Sequence, residues 1–370
     1  MRIAEVAPLY ESVPPKGYGG TERVVSWLTE ELVRLGHDVT LFASGDSMTT
    51  ARLVPCCSES LRLATGCADQ LAHHVVLLEK VLQEKNKFDL IHFHTDYLHF
   101  PISSRERYLH VTTLHGRLDI PDLAPLYEIY SNMPVISISD SQRDPLPHLN
   151  WQGTVHHGFP PETYTCHTKP GKYLAFLGRT SPEKGLDRAI EIARRAGMPL
   201  KIAAKIDKVD QEYFDACIRP LLDSNDVEFL GEIGYPEKNK FLGEAAALIF
   251  PICWPEPFGI VMIEAMACGT PIIGYPFGSV PEVVKHGVSG YVVSDLQGAV
   301  EATKQLDKLD RKKVRKYFEQ HFTASRMTQD YLRIYERMVA QRLVNHKKPP
   351  LKVDDGVLTW MKLTSPSSTT

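Results

Sequence analysis

The segment richest in candidate chemistry is Trp254-Pro255-Glu256-Pro257-Phe258-Gly259-Ile260-Val261-Met262-Ile263-Glu264-Ala265-Met266-Ala267-Cys268-Gly269. Two prolines hold Glu256 in a loop after an apolar strand, and a helix is expected to open near Phe258 or Gly259. The backbone amides of Phe258, Gly259 and Ile260, with Val261 in the same first turn, then sit at a positive helix end. Free N–H donors there suit an anionic phosphate. Glu264 falls between one and two turns further on, among Val261, Met262, Ile263, Ala265 and Met266. A carboxylate in that apolar company needs a partner, and a ribose diol would serve. The plainer reading makes Glu256 a helix-start residue and Glu264 a solvated one; the apolar neighbours of Glu264 weaken it.

Three further segments carry groups of the same kind. Gly178-Arg179-Thr180-Ser181-Pro182-Glu183-Lys184-Gly185 is read as a polar turn between a strand and a helix. Arg179 offers a planar fork and Lys184 a point charge, a combination suited to a diphosphate. Alone, the pair reads equally well as solvated charge beside Glu183. Gly17-Tyr18-Gly19-Gly20-Thr21-Glu22 follows the first strand; Gly19 and Gly20 let a backbone approach a ligand closely ahead of a helix start. Thr113-Leu114-His115-Gly116 ends a parallel strand, where open α/β sheets place ligands, and His115 can hydrogen-bond a sugar hydroxyl. His92, His94 and His99 cluster in sequence near Asp96, with His92 and His94 on one strand face. No second ligand set of zinc spacing accompanies them. They are read as structural or acceptor-facing, and no metal is expected.

The elements that must position these groups alternate regularly. Strands are expected at Arg2–Ala7, Val39–Ala43, Leu90–Phe93, Val111–Leu114 and Val135–Ile138, with a helix after Gly20 and another over Ala68–Gln83. The stretch from His156 to Gly171, rich in Gly and Pro, breaks the rhythm and marks a domain boundary. A second cycle follows, with strands at Tyr173–Leu177, Leu200–Ala204, Val227–Leu230, Ala247–Phe250, Pro271–Ile273 and Tyr291–Val293, then helices over Arg311–Phe322 and Met327–Leu343. Apolar strands alternating with helices imply parallel sheets covered on both faces. The expected fold is α/β, two Rossmann-like doubly wound domains facing across a cleft. The domains are placed at 1–160 and 161–326, with a helix at 327–345 packing back on the first domain and a polar tail at 346–370.

Bulk properties exclude other classes. The formal net charge is -3 with no long like-charged block, so no nucleic-acid partner is expected. Seven cysteines without a CxxC pair point to unpaired thiols and a reducing, cytoplasmic address. No signal peptide is read at the start, and no apolar run reaches the ~18 residues of a membrane span. Membrane contact has no support in the sequence, and oligomeric state is unspecified.

With those residues in hand, the chain resembles the family 4 retaining glycosyltransferases of the GT-B fold from Arg2 to about Leu343. The Glu256-to-Glu264 motif, Gly178-Arg179 with Glu183-Lys184-Gly185, Gly19-Gly20-Thr21-Glu22 and Thr113-Leu114-His115 carry the resemblance. It implies a hexosyltransferase taking a nucleotide-sugar donor, a UDP-sugar such as UDP-glucose ahead of GDP-mannose, with a saccharide, lipid or small-molecule acceptor and no cofactor. By the same resemblance Arg179 and Lys184 bind the diphosphate, and Glu256 holds hydroxyls of the transferred sugar near the Phe258 and Gly259 amides. Glu264 takes the ribose, and His115 contacts the sugar or reacting centre. Lys205 stands where many members have a glycine-rich strand end, and Gly278-Ser279 where a Gly-Gly pair is frequent. No Asp-x-Asp metal motif occurs in the chain, and two cations with a helix N-terminus can neutralise a leaving diphosphate in a closed cleft. The competing readings are an epimerase or phosphorylase on the same scaffold, a non-catalytic sugar-nucleotide binder, and a nicotinamide oxidoreductase. The last lacks the GxGxxG fingerprint.

Overall fold

The computed structural model describes residues 1–347 apart from 18, 63, 224 and 225, so the tail expected from 346 lies, from 348 on, outside the described residues. Two wholly parallel sheets are present. The first runs in the order β3-β2-β1-β4-β5-β6-β7 and the second β10-β9-β8-β11-β12-β13. In the first, β1 is Arg2–Val6, β2 Asp38–Ser44, β3 Arg52–Cys57, β4 Leu90–Phe93, β5 His110–Thr113, β6 Val135–Ser137 and β7 Trp151–Thr154. In the second, β8 is Tyr173–Arg179, β9 Leu200–Lys205, β10 Val227–Gly231, β11 Ala245–Phe250, β12 Ile272–Gly274 and β13 Gly290–Val292. Both orders place the first strand of the domain near the middle and reverse direction there, the arrangement that opens a crevice at the strand C-termini.

Burial explains the strands. β4, β5, β11 and β12 are buried along their whole length, as strands covered by helices on both faces require. The first helix, Gly20–Arg34, buries Val24, Val25, Leu28 and Leu32 on one stripe. Several expectations need adjusting. β3 and β7 were not foreseen. Gly178 and Arg179 are the last residues of β8 and not part of a turn; the turn proper is the short helix Pro182–Lys184. The second helix is Gln70–Glu84, and the last begins earlier, at Ala324, and runs to Lys347.

That last helix lies on the first domain. Its Met327, Tyr331, Leu332, Ile334, Tyr335 and Met338 pack with Ile3, Val24, Leu28, Leu32, Leu90 and Val111 in one core. The chain thus crosses between the domains twice, and the crossings run side by side. The Phe159 amide donates to the Phe322 carbonyl at 3.1 Å, and the Ala324 amide to the Phe159 carbonyl at 3.0 Å. The Arg326 guanidinium donates to the carbonyls of His156 (2.6 Å) and His157 (3.0 Å). All seven cysteines are free thiols. Among the described residues, no helix is long and apolar enough to cross a membrane.

Candidate active site in the interdomain cleft

A cleft of about 540 Å³ separates the domains, within the size range of ligand pockets. Every residue singled out from the sequence as catalytic or donor-binding lines it: Gly19, Gly20, His115, Arg179, Lys184, Lys205, Glu256, Phe258, Gly259, Ile260, Val261 and Glu264. The sequence resemblance also implies that an acceptor contacts the first domain at the Tyr10–Tyr18 loop and the Leu98–Arg107 segment. Lys16 and Gly17 of the loop line the cleft, no residue of Leu98–Arg107 does, and Tyr18 lies outside the described residues.

The Glu256 loop is held by its backbone. Gly278 has φ 56°, and a Cβ there would come within 2.3 Å of the Glu256 nitrogen and 2.4 Å of its carbonyl oxygen. The Ser279 amide donates to the Glu256 carbonyl at 3.0 Å, and the Ser279 hydroxyl to the Phe258 carbonyl at 2.7 Å. The Gly278-Ser279 pair is therefore the cradle of this loop, with every contact made to main chain and the Glu256 carboxylate left for the cleft. The helix begins at Ile260, one or two residues later than expected, because Gly259 turns the chain in the left-handed region at φ 73°. Among the described residues, the amides of Phe258, Gly259, Ile260 and Val261 donate to no protein group. They form a row of open donors at a helix end.

Lys184 ion-pairs directly with Glu256, and its Nζ stands 4.6 Å over the Trp254 ring. Arg179 bonds Glu183 at 3.2 Å and Asp207 at 3.4 Å, and Lys205 bonds Asp207 at 2.9 Å. The hydrogen bond from Lys205, with help from Arg179, holds the Asp207 carboxyl below its usual range although partial burial pushes it up. Each cation thus rests on a carboxylate; Glu183 and Asp207 are a quarter or more exposed, whereas Glu256 is 12% exposed.

Glu264 is buried on the cleft wall. Its Oε1 accepts from the Tyr164 hydroxyl at 2.8 Å and from Lys238 at 3.4 Å, while Oε2 is buried with no partner. An unmet acceptor in that position is the polar need that a ligand hydroxyl would fill.

On the opposite wall, His115 Nε2 is 2.9 Å from His94 Nδ1, and the ring stacks on His157 with centroids 5.4 Å apart. Burial, then the neighbouring His94 and His157, hold His115 well below the usual histidine range, so it is neutral at pH 7. His92 and His94 face Glu5, whereas His99 is separate, bonded to Ser103 and Thr112. The sequence cluster near Asp96 is therefore two structural sites.

Arg117 and Trp254 were not assigned roles from sequence. The Arg117 guanidinium lies 5.1 Å over Trp254 from the other domain, and Trp254 Nε1 is buried without a partner. A cation two residues past His115 at a strand end, and a tryptophan heading the Glu256 segment, were the available signals.

Comparison with known proteins bears on the same architecture. Residues 167–320 match the family of group 1 glycosyl transferases, and residues 18–149 match glycosyltransferase family 4. An uncharacterized glycosyltransferase of Methanocaldococcus jannaschii is 25% identical over 339 residues, covering 78% of this chain and 84% of that protein. A phosphatidyl-myo-inositol mannosyltransferase of Propionibacterium freudenreichii is 27% identical over 308 residues, covering 74% of this chain and 76% of that protein. Among solved structures, Anabaena HepE in complex with UDP and glucose superposes with a TM-score of 0.67 at 19% identity, covering 91% of this chain and 99% of that one. Family matches in both halves, on a pair of parallel-sheet domains with a shared cleft, place this chain in the family 4 glycosyltransferases of the GT-B fold.

Proposed function

We propose that the protein is a retaining, metal-independent hexosyltransferase that uses a nucleotide-sugar donor, a UDP-sugar ahead of GDP-mannose. The observation carrying this reading is the convergence of Lys184, Glu256 and four open backbone amides on one stretch of cleft wall. Arg179, Lys184 and Lys205 take the diphosphate, with the amides of Phe258, Gly259, Ile260 and Val261. Glu256 holds hydroxyls of the transferred sugar, and Glu264 takes the ribose diol through its unpaired Oε2. Gly19 and Gly20 let the first-domain backbone close over the donor; Gly20 already faces the Ile260 side chain across the cleft. The second domain is the donor side, and the acceptor, a saccharide, lipid or small molecule, enters along the first.

In the reaction the bond between the anomeric carbon and the diphosphate oxygen breaks, and the acceptor oxygen bonds the same face of that carbon. The acceptor proton passes to the departing diphosphate. Fixed positive charge aimed at the leaving group supplies the stabilisation that other transferases draw from a divalent ion. The absence of Asp-x-Asp from the sequence supports metal independence. UDP is favoured because a neighbour of the same fold is described in complex with UDP and glucose. Unpaired thiols suit a cytoplasmic enzyme.

The test is a thermal-shift panel of UDP-sugars and GDP-mannose, followed by NMR of the product formed with and without a chelator. The preferred donor raises stability most, by mass action, and the product keeps the donor's anomeric configuration in chelator. An inverted product, or activity that the chelator abolishes, would overturn the mechanism.

A further inference from the structure

The first-domain wall holds a chain of buried polar groups that reaches from the sheet interior to the cleft. Glu5 on β1 is paired in register with His92 on β4, and His94 follows on the same face. Glu5 and His92 are fully buried and His94 nearly so. Glu5 Oε2 lies 2.8 Å from His94 Nε2, and His94 Nδ1 lies 2.9 Å from His115 Nε2. His92 has partners of its own, Thr113 Oγ1 at 2.7 Å on Nε2 and the Tyr335 hydroxyl at 2.6 Å on Nδ1. His92 Nδ1 also lies 3.3 Å from Glu5 Oε2, longer than its 2.6 Å contact with Tyr335, so His94 at 2.8 Å is the nearer donor to that oxygen.

We propose that Glu5 and His94 are positioning residues that lock His115 with its proton on Nε2, leaving Nδ1 as a bare acceptor toward the cleft, so that the ligand group meeting it is a hydroxyl and not a phosphate oxygen. Each step follows from what the groups can donate. An ionised carboxylate only accepts, so His94 must carry its proton on Nε2. A neutral imidazole with that proton has a bare Nδ1, so His115 must donate from Nε2. His115, also neutral, is left with a bare Nδ1. Burial pushes the Glu5 carboxyl up, but His92 and His94 outweigh it and bring it to about 2. Burial, with His92, pulls His94 down to about 4. The charge states the chain requires are those present at neutral pH. A phosphate oxygen at Nδ1 would meet lone pair against lone pair, which fits the cations standing on the other wall. The inference rests on the cleft being the sugar-nucleotide site.

The test uses the full-length chain labelled with 15N-histidine. Long-range 1H–15N spectra, recorded with UDP added, report which nitrogen of His115 is protonated. The expected result is a protonated Nε2 and a bare Nδ1. In His94→Phe the lock is gone: the His115 signal moves toward mixed tautomers, and kcat with UDP-glucose or GDP-mannose falls about tenfold or more, the usual size for loss of an orienting partner. The UDP thermal shift, which reads the other wall, is unchanged. Glu5→Gln, whose amide can donate as well as accept, no longer dictates the His94 tautomer, so the His115 signal also moves toward mixed tautomers and kcat falls, by less than in His94→Phe. A wild-type spectrum with the proton on Nδ1 overturns the inference, as does an unchanged tautomer and kcat in His94→Phe, or a transition metal found bound at Glu5 and His94 in the purified protein. Should His94→Phe fail to fold, the wild-type spectrum and Glu5→Gln still decide. Absence of any nucleotide shift or turnover in the wild type would instead sink the transferase reading, and the spectrum alone would then decide the tautomer.

Discussion

On the second-domain side of the cleft, Arg179, Lys184 and Lys205 stand on carboxylates that retain some solvent access, beside amides that donate to nothing. On the first-domain side, Glu5, His92, His94 and His115 form a hydrogen-bonded set in which three members are almost wholly buried and the histidine facing the cleft is neutral. Partly exposed ion pairs are worth roughly 0–1 kcal/mol, so the second-domain cations can trade Glu183 or Asp207 for a phosphate at little cost. Groups with no solvent access cannot trade partners that way, because an unpaired buried charge is expensive. One wall is thus built to exchange charge and the other to hold fixed dipoles.

This contrast can be broken most severely at Lys184. Lys184→Ala removes one of the cations proposed to hold the diphosphate and takes from Glu256 its ion-pair partner. It should lower kcat by about 10²–10³-fold, the scale for losing a preorganised electrostatic donor, and abolish most of the nucleotide-induced thermal shift. A steady-state assay showing less than a tenfold loss would place the leaving-group charge elsewhere. Next is Gly278→Ala, which forces a Cβ into the Glu256 backbone from a φ of 56°. Displacing that loop by about 1 Å should cost about 10²-fold in turnover, while chemical unfolding reports a loss of about 1–3 kcal/mol. Unchanged kinetics would mean the loop tolerates a shift that the amide row should not.

A smaller effect is expected at Glu264. Glu264→Gln weakens a charge-assisted contact and should reduce nucleotide affinity about tenfold. The wild type should discriminate against a 2′-deoxynucleotide by a similar factor, and calorimetry on both pairs checks whether the two losses overlap. If they add in full, Glu264 is not the ribose partner.

The least effect on turnover is expected from Glu22→Gln on the first-domain side. Burial raises the Glu22 carboxyl from 4.5 to about 7. The folded protein therefore holds a proton that the unfolded chain releases, so stability is full below pH 4.5 and declines as pH rises toward 7. The decline amounts to up to about 3 kcal/mol. Glutamine mimics the protonated acid, so Tm measured across that window should flatten while activity is kept. A wild-type Tm that rises across the window would reverse the assignment.

Much of the fold was legible because buried parallel strands are continuous apolar runs, as in Leu90–Phe93 and Ala245–Phe250. The two strands that escaped, β3 and β7, are the two edges of the first sheet. They are only partly buried, and β3 contains Pro55. An edge strand packs one face, so its sequence lacks the uninterrupted apolar signature. At the site, residue types and local spacing pointed to Glu256, Glu264, Arg179 and Lys184 because helix ends and strand ends are local. The Lys184–Glu256 pair, 72 positions apart, and the His94–His115 contact are products of topology. Gly278-Ser279, which read as a departure from the family pattern, is explained only by its contact with the Glu256 main chain.

The double crossing has a consequence for how the enzyme comes into being. The first lobe does not correspond to an unbroken length of polypeptide, since Tyr331 and Tyr335, the covers over His92, are supplied after the second lobe has been completed. During synthesis the first-domain wall must wait for its last layer until the residues that follow the second lobe have left the ribosome. A chimera that swaps lobes by a single cut near residue 160 would inherit a wall from one parent and its backing from the other.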